Sequence, residues 1–254
     1  MNDPFRLDDR IVIITGASRG IGAAVARRVC AQGGSTVLVA RSREPLEALA
    51  DELPTPSAVV VGDVTDTSVV GEAIDAADGL PGTLWGLVNN AGVQPPYQPL
   101  TATPLSAWDA VISVNLLGAA AFARGVGLAL SEQGVGGRIV NLGSIAGLTG
   151  LPMIGPYNAS KAAIDGLTRS LAVELGPAGI LCNSVAPGTI TTEMVDQLMT
   201  ANPALKDKLV AKAPLGRLGE VAEAADPIVF LLTDAASFIT GQVLVIDGGR
   251  LAQG

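Results

Sequence analysis

The sequence predicts an α/β fold: a doubly wound parallel sheet of about seven strands with helices on both faces. Short runs rich in Val and Ile alternate with Ala- and Leu-rich helical stretches, the pattern of successive βαβ units joined by right-handed crossovers. The runs are apolar at nearly every position rather than at every second one, as strands covered on both faces are. With 254 residues and 48% apolar content the chain can bury one large core, so residues 1–254 are read as a single domain.

The first strand is 10–15, Arg-Ile-Val-Ile-Ile-Thr, which stops at Gly16, and an Ala-rich helix runs on to Gln32. Strands are predicted at 36–40, 58–61 and 84–88, with helices at 44–53 and 68–77 between them; the third strand ends at Asp63. Pro95, Pro96, Pro99 and Pro104 then mark a loop rather than a domain boundary. Helices over 108–130 and 157–175 flank a fifth strand at 138–142, and strands at 181–186 and 243–246 complete the sheet. Both of those helices are apolar nearly all round, which calls for a covering partner. The stretch 191–218 is rich in Met, Leu and Lys and follows the sixth strand, where it is placed to close over a site as a lid.

Charge and composition exclude several classes of function. Net charge is −8 and the pI is about 4.5, so no general surface for nucleic acid or an anionic membrane is expected. The chain has no histidine, which rules out His-based triads and His-rich metal sites, and two distant cysteines make neither a zinc site nor a disulfide framework. No metal is expected. Cys30 and Cys182 lie in apolar segments, and Asp3, Arg6, Asp8, Asp9 and Arg10 stand where an export signal would need an apolar run, so the protein reads as cytoplasmic. The best membrane candidate, 110–130, is interrupted by Asn115 and Arg124 and reads as a buried helix.

Without histidine, proton chemistry falls to another residue type. Tyr157 and Lys161 are four apart at the start of a predicted helix and share one face, so the ammonium can act on the phenol. A free phenol, with a pKa of about 10, exchanges protons poorly at neutral pH, and a neighbouring ammonium favours phenolate. Ser144, after the fifth strand, offers a hydroxyl that can hold and orient a substrate oxygen. Asn115 sits within the apolar Val-Ile-Ser-Val-Asn-Leu-Leu, where an unpaired amide would cost ~1–3 kcal/mol. Near the start of the chain, Thr15-Gly-Ala-Ser-Arg-Gly-Ile-Gly22 joins the first strand to its helix. Glycines here let the backbone turn sharply and approach a pyrophosphate, whose charge is favoured by the free N–H groups of a helix N-terminus.

Thr15-Gly16-x-x-x-Gly20-Ile21-Gly22, Asn89-Asn90-Ala91-Gly92, Asn115, Ser144, Tyr157, Lys161 and Pro187-Gly188 together resemble the short-chain dehydrogenase/reductase family in its single-domain, Rossmann-type form. The resemblance runs from Arg10 to Gly249. It implies an oxidoreductase that moves hydride between NAD(P)(H) and a ketone or secondary alcohol, with Tyr157 as general acid/base. It further implies that Lys161 holds the nicotinamide ribose and that Asn115 holds a water linking the lysine to solvent. For the cofactor it implies Gly16, Ser18, Arg19, Gly20, Ile21 and Gly22 at the pyrophosphate, Asp63 and Val64 at the adenine, and Asn90, Ala91 and Gly92 on the adenosine side. Pro187, Gly188, Ile190 and Thr192 follow at the nicotinamide, whose carboxamide would be held by the Ile190 backbone and the Thr192 hydroxyl. An acidic residue after the second strand would accept the ribose 2′-OH and repel a 2′-phosphate, whereas arginine does the reverse. Here Arg41 and Ser42 follow Ala40, with Arg19 as a second contact, so NADP(H) is the expected cofactor and NAD(H) the alternative. Relatives often carry two serines where this chain has Gly143-Ser144, which leaves the substrate role to Ser144. A homotetramer is implied, with the last strand, 243–246, at a second interface.

The expected substrate is a small carbonyl or alcohol. The segments around Gln94, Met194 and Pro214 resemble gluconate 5-dehydrogenases, while the whole pattern equally resembles 3-oxoacyl carrier protein reductases. The second reading wants a basic entrance for an acidic carrier, which a net charge of −8 does not supply. Gln94, 145–153 and 194–199 are expected to shape the pocket. A catalytically silent NADP(H)-binding sensor would not need Ser, Tyr and Lys together, and an extended-type epimerase or dehydratase would be longer.

Overall fold

A computed structural model, which describes residues 3–192, 195, 199 and 203–253, places every predicted strand in one sheet. The first half of the chain gives β1 (Arg10–Thr15), α1 (Gly20–Ala31), β2 (Ser35–Ala40), α2 (Arg43–Glu52), β3 (Ser57–Val61), α3 (Ser68–Asp78), β4 (Thr83–Asn89) and α4 (Leu105–Ile112). A π-helical turn (Ser113–Gly118) leads into α5 (Ala119–Gln133), β5 (Gly137–Leu142), α6 (Ile145–Leu148), α7 (Gly155–Leu175) and β6 (Ile180–Pro187). Then come β7 (Ile190–Thr191), α8 (Pro203–Val210), β8 (Gly219–Glu220), α9 (Val221–Leu232) and β9 (Val243–Ile246).

The seven strands lie in the order β3-β2-β1-β4-β5-β6-β9, and every neighbouring pair is parallel. Alternate residues of each apolar run serve opposite faces. Val12, Ile14 and Leu38 pack with Val25 and Val29 of α1 and with Ile228 and Leu232 of α9. Ile11, Ile13, Val37 and Val39 pack with Val69 of α3 and with Phe122 and Val126 of α5. Each such side chain, fully buried, contributes roughly 1.5–3 kcal/mol. Strand order reverses between β1 and β4, so the loops leaving their carboxyl ends part and open a crevice.

Two features differ from the sequence expectation. The helix expected over 108–130 is two α-helices joined by the π turn. The helical run Leu105–Gln133 is long and apolar enough to cross a membrane, yet Phe122, Val126 and Leu130 are spent on the sheet. A second, two-stranded sheet pairs β7 with β8, ladders too short for a sequence pattern to announce. Of the stretch read as a lid, residues 193, 194, 196–198 and 200–202 lie outside the described residues, Met194 among them.

Candidate active site

The crevice is a groove of about 680 Å³. Its floor is two loops locked together. Thr15 Oγ1 accepts the backbone N–H groups of Asn90 and Ala91, each at 3.1 Å, and Asn90 Nδ2 donates to the Thr15 and Gly16 carbonyls at 3.0 and 2.9 Å. Gly16 has φ +65°, and a Cβ there would stand 2.8 Å from Ala91 Cα; one on Gly22 would stand 2.4 Å from the Gly16 carbonyl oxygen. Only glycine lets the turn close this tightly. At the start of α1, Arg19 is extended and makes no side-chain cap, and the first turn holds no acidic residue. Its N–H groups are therefore suited to an anion. A dinucleotide fits these residues: the volume suits a cofactor site, the glycine cradle leaves room for a pyrophosphate, and the uncapped helix end offers it donors.

At the groove mouth Arg41 is exposed, its Nη1 3.9 Å from Asp63 Oδ2, and Arg19 is exposed across the groove. Asp63 Oδ1 accepts from Thr65 N at 3.0 Å and Thr65 Oγ1 at 2.8 Å. Those two bonds, with Arg41 as a smaller cause, hold its carboxyl below the usual range. Asp63 thus braces its own turn as well as facing the groove.

Behind Gly92, which lines the groove, stand Asn115 and Lys161: a Cβ on Gly92 would be 3.4 Å from Asn115 Oδ1 and 3.7 Å from Lys161 Nζ. Pro156, near the start of α7, suits a helix beginning at this point. One turn then separates Tyr157 from Lys161. Lys161 is 4% exposed; its Nζ donates to the Leu142 carbonyl at 2.6 Å and lies 5.6 Å from the Tyr157 ring centroid. Burial lowers its pKa to about 8, against an upward pull from Asp165.

The Tyr157 phenol is pushed above the ordinary value by burial and pulled back by a hydrogen bond from Ser144, and the Lys161 ammonium stands over its ring. The ammonium's bond goes to the Leu142 carbonyl rather than to the phenol oxygen, and desolvation outweighs what remains. Ser144 caps the short α6, its Oγ accepting from Ala146 N at 3.1 Å, which leaves its proton for Tyr157 or a substrate. Asn115, 1% exposed, is held by its π turn against the loop after β4. Its Oδ1 accepts from Val93 N at 2.7 Å, and its Nδ2 donates to the Val93 carbonyl at 2.9 Å and to Ser160 Oγ at 3.0 Å. Both amide protons are spent, and Oδ1 keeps one acceptor place beside Gly92.

Most of the predicted cofactor residues line the groove: Gly16, Ser18, Arg19, Gly20, Ile21, Arg41, Ser42, Asp63, Val64, Asn90, Ala91, Gly92 and Thr192. Gly22 stands behind Gly16. Pro187, Gly188 and Ile190 fall short of it. Gly188 N is bonded to the Ile246 carbonyl at 2.8 Å, extending the β6–β9 ladder, and the Ile190 side chain turns towards Gly219 and a smaller cavity. Pairing of β7 with β8 causes that turn.

Two functional candidates escaped the sequence reading. Tyr97, half exposed in the proline-rich loop, acts electrostatically on Tyr157. The loop is pinned there by Gln98 N, which donates to the Met153 carbonyl at 3.0 Å. Its signal was available, since the chain has only 2 tyrosines. Asp165 had none: a lone acid in a helix reads as solvated surface, yet it is 3% exposed.

A doubly wound parallel sheet, a glycine cradle at its switch point and Ser144, Tyr157 and Lys161 gathered behind Gly92 define a dinucleotide-dependent oxidoreductase. Residues 16–250 match the family model described as Enoyl-(Acyl carrier protein) reductase. The 2-(S)-hydroxypropyl-CoM dehydrogenase 3 of Xanthobacter autotrophicus is 36% identical over 253 residues, 97% of this chain and 98% of that one. L-rhamnose 1-dehydrogenase (NAD(P)(+)) of Azotobacter vinelandii is 38% identical over 251 residues, 96% of this chain and 97% of that one. Among solved structures, a gluconate 5-dehydrogenase from Burkholderia cenocepacia in complex with NADP and tartrate superposes with a TM-score of 0.92 at 35% identity, covering 98% of both chains. The chain belongs to the short-chain dehydrogenase/reductase family and is an NAD(P)-dependent oxidoreductase acting between CH–OH and C=O.

Proposed function

We propose that the protein reduces a small polar ketone with NADPH, and oxidises the matching secondary alcohol, with Tyr157 giving and taking the proton. The observation that carries this reading is that Lys161, buried behind Gly92 of the groove, lies beside the Tyr157 ring, whose phenol is hydrogen-bonded to Ser144. A carbonyl oxygen set between Ser144 Oγ and Tyr157 Oη accepts two hydrogen bonds that strengthen as negative charge develops on it. The nicotinamide, when bound, supplies or takes the hydride. Tyr157's proton passes to the oxygen, and because burial holds the phenol above its ordinary value, that proton is in place at neutral pH. Lys161, fixed on the Leu142 carbonyl, keeps its other N–H groups for a ribose at Gly92. Arg41 and Arg19, at the groove mouth, suit a 2′-phosphate.

Sugar acids and polyols are the favoured substrate class. The gluconate 5-dehydrogenase likeness supports it, and the net charge of −8 speaks against docking of an acidic carrier. The same reading takes the protein as a cytoplasmic homotetramer. Cys30 and Cys182 are free and buried, and Leu128, Val173 and Val245 are exposed apolar side chains awaiting cover.

Initial rates followed at 340 nm with NADPH and NADH, against sugar acids, polyols and 3-oxoacyl thioesters, test the substrate and the cofactor together. A roughly tenfold preference for NADH would overturn the cofactor assignment. Tyr157→Phe is expected to cut kcat by about 10²–10⁴ while cofactor affinity stays within about threefold. Retained turnover would overturn the role of Tyr157.

A further inference from the structure

The face of α7 that carries Tyr157 and Lys161 continues one turn further to Asp165, a carboxylate with no part in the chemistry above. Asp165 Oδ1 accepts from Ser184 Oγ at 2.8 Å, while Oδ2 is buried without a hydrogen-bond partner. A carboxylate held this way is costly unless a positive charge stands near it. Lys161 and Arg169, four residues before and after it on the same helix, are the cations that act on it, and of the two only Lys161 is buried. Gly143 makes room for the carboxylate: a Cβ there would stand 2.7 Å from Ser184 Oγ and 3.1 Å from Asp165 Oδ1. The glycine before Ser144 and the acid on α7 therefore belong together.

Burial pushes Asp165 above the usual carboxylate range, while Ser184 of β6 and, on α7 itself, Arg169 and Lys161 pull it back towards the ionised form; of the two cations Arg169 is exposed. α6 has no titratable side chain, Arg138 of β5 is paired with Asp234 at the other end of the strand, and Asp109 of α4 and Arg124 and Glu132 of α5 are exposed.

We propose that Asp165 is a positioning residue whose buried carboxylate is the counter-ion that keeps Lys161 protonated behind Tyr157. This rests on the reading of Tyr157 and Lys161 given above. Burial brings Lys161 to about 8, so near neutral pH the lysine is close to losing its proton, and the opposing pull of Asp165 retains it. Alcohol oxidation needs Tyr157 as phenolate, and a neutral lysine would leave it without a positive neighbour.

With 4 lysines in the chain the charge can be observed directly. In protein carrying ¹³C at lysine Cε, the Lys161 signal is assigned by its loss in Lys161→Met and titrated with neither cofactor nor substrate present. Asp165→Asn keeps the shape and the Ser184 contact; it is expected to lower the Lys161 midpoint by about half a pH unit or more. It should also cut kcat/KM for alcohol oxidation roughly threefold or more near pH 8, with ketone reduction less affected. Ser184→Ala removes the bond that favours ionised Asp165 and should move the midpoint the same way by less, which serves if Asp165→Asn does not fold. An unmoved midpoint in the folded variants overturns the proposal whatever the rates do. A moved midpoint with an unchanged oxidation profile overturns the positioning role. Neither result depends on Tyr157→Phe, which tests the role of Tyr157 by itself.

Discussion

Lys161 must hold a positive charge where burial disfavours it, and its pKa falls from 10.5 to about 8. Between those values the unfolded chain binds a proton that the folded chain does not. The lysine's contribution to stability is therefore lowest at and below about pH 8 and rises as pH climbs towards 10.5. Lys161→Met removes this titration. The Tm of the variant relative to the native chain should fall as pH is raised from about 7.5 to about 10, by the equivalent of roughly 2 kcal/mol. A difference that stays flat with pH would mean that Lys161 titrates as an exposed lysine. At this scale the sequence singles out Tyr157 and Lys161 by their spacing alone. Helical spacing set Tyr157 and Lys161 on one face, but spacing carries no information on burial, which raises the phenol and brings Asp165 into the site. Depth inside the fold is set by what packs from β5 and β6, the strands that flank α7 in sequence, and spacing along the helix does not report it.

Among the elements, the π turn Ser113–Gly118 does most to build the site. One extra residue in a turn rotates a helix face, and such turns gather at functional positions. Here the rotation aims Asn115 at both backbone groups of Val93, the residue after the cofactor loop Asn90–Gly92. Asn115→Ala would strand the Val93 N–H and carbonyl at a cost of ~1–3 kcal/mol. At about 2–4 °C per kcal/mol, Tm should drop by several degrees, and cofactor affinity should fall as the loop loosens. An unchanged melting curve would mean that the tether is dispensable. The strands were legible because β-branched runs ending at Gly16, Asp63 and Asn89 announce themselves locally. The π turn was not, since an apolar helix reads the same with or without one inserted residue. Nor was the β7–β8 ladder, whose strands are two residues each and owe their pairing to the close of a long excursion.

Among the apolar side chains that reach the surface in the described residues, two sets bear on the proposed homotetramer. Leu117, Leu128 and Val173 are 58%, 55% and 78% exposed on the π turn, α5 and α7. Leu244 and Val245 are 38% and 39% exposed on β9, the strand at the sheet edge. A helix face and an edge strand left open in this way are liabilities in a single chain. Two distinct self-complementary faces on one subunit generate a closed tetramer of dihedral symmetry, whereas one face alone stops at a dimer. Charges placed singly should therefore dissect the assembly: Leu128→Glu leaves dimers joined through β9, Val245→Glu leaves dimers joined through the helices, and the double variant sediments as a monomer of 25.6 kDa. A native chain sedimenting as a monomer would refute the tetramer. A single variant falling straight to monomer would mean that both patches serve one interface. The two dimers should also differ in activity, because α7 presents Val173 outwards and carries Tyr157, Lys161 and Asp165. Loss of cover on that helix should lower kcat more than loss of the β9 contact does.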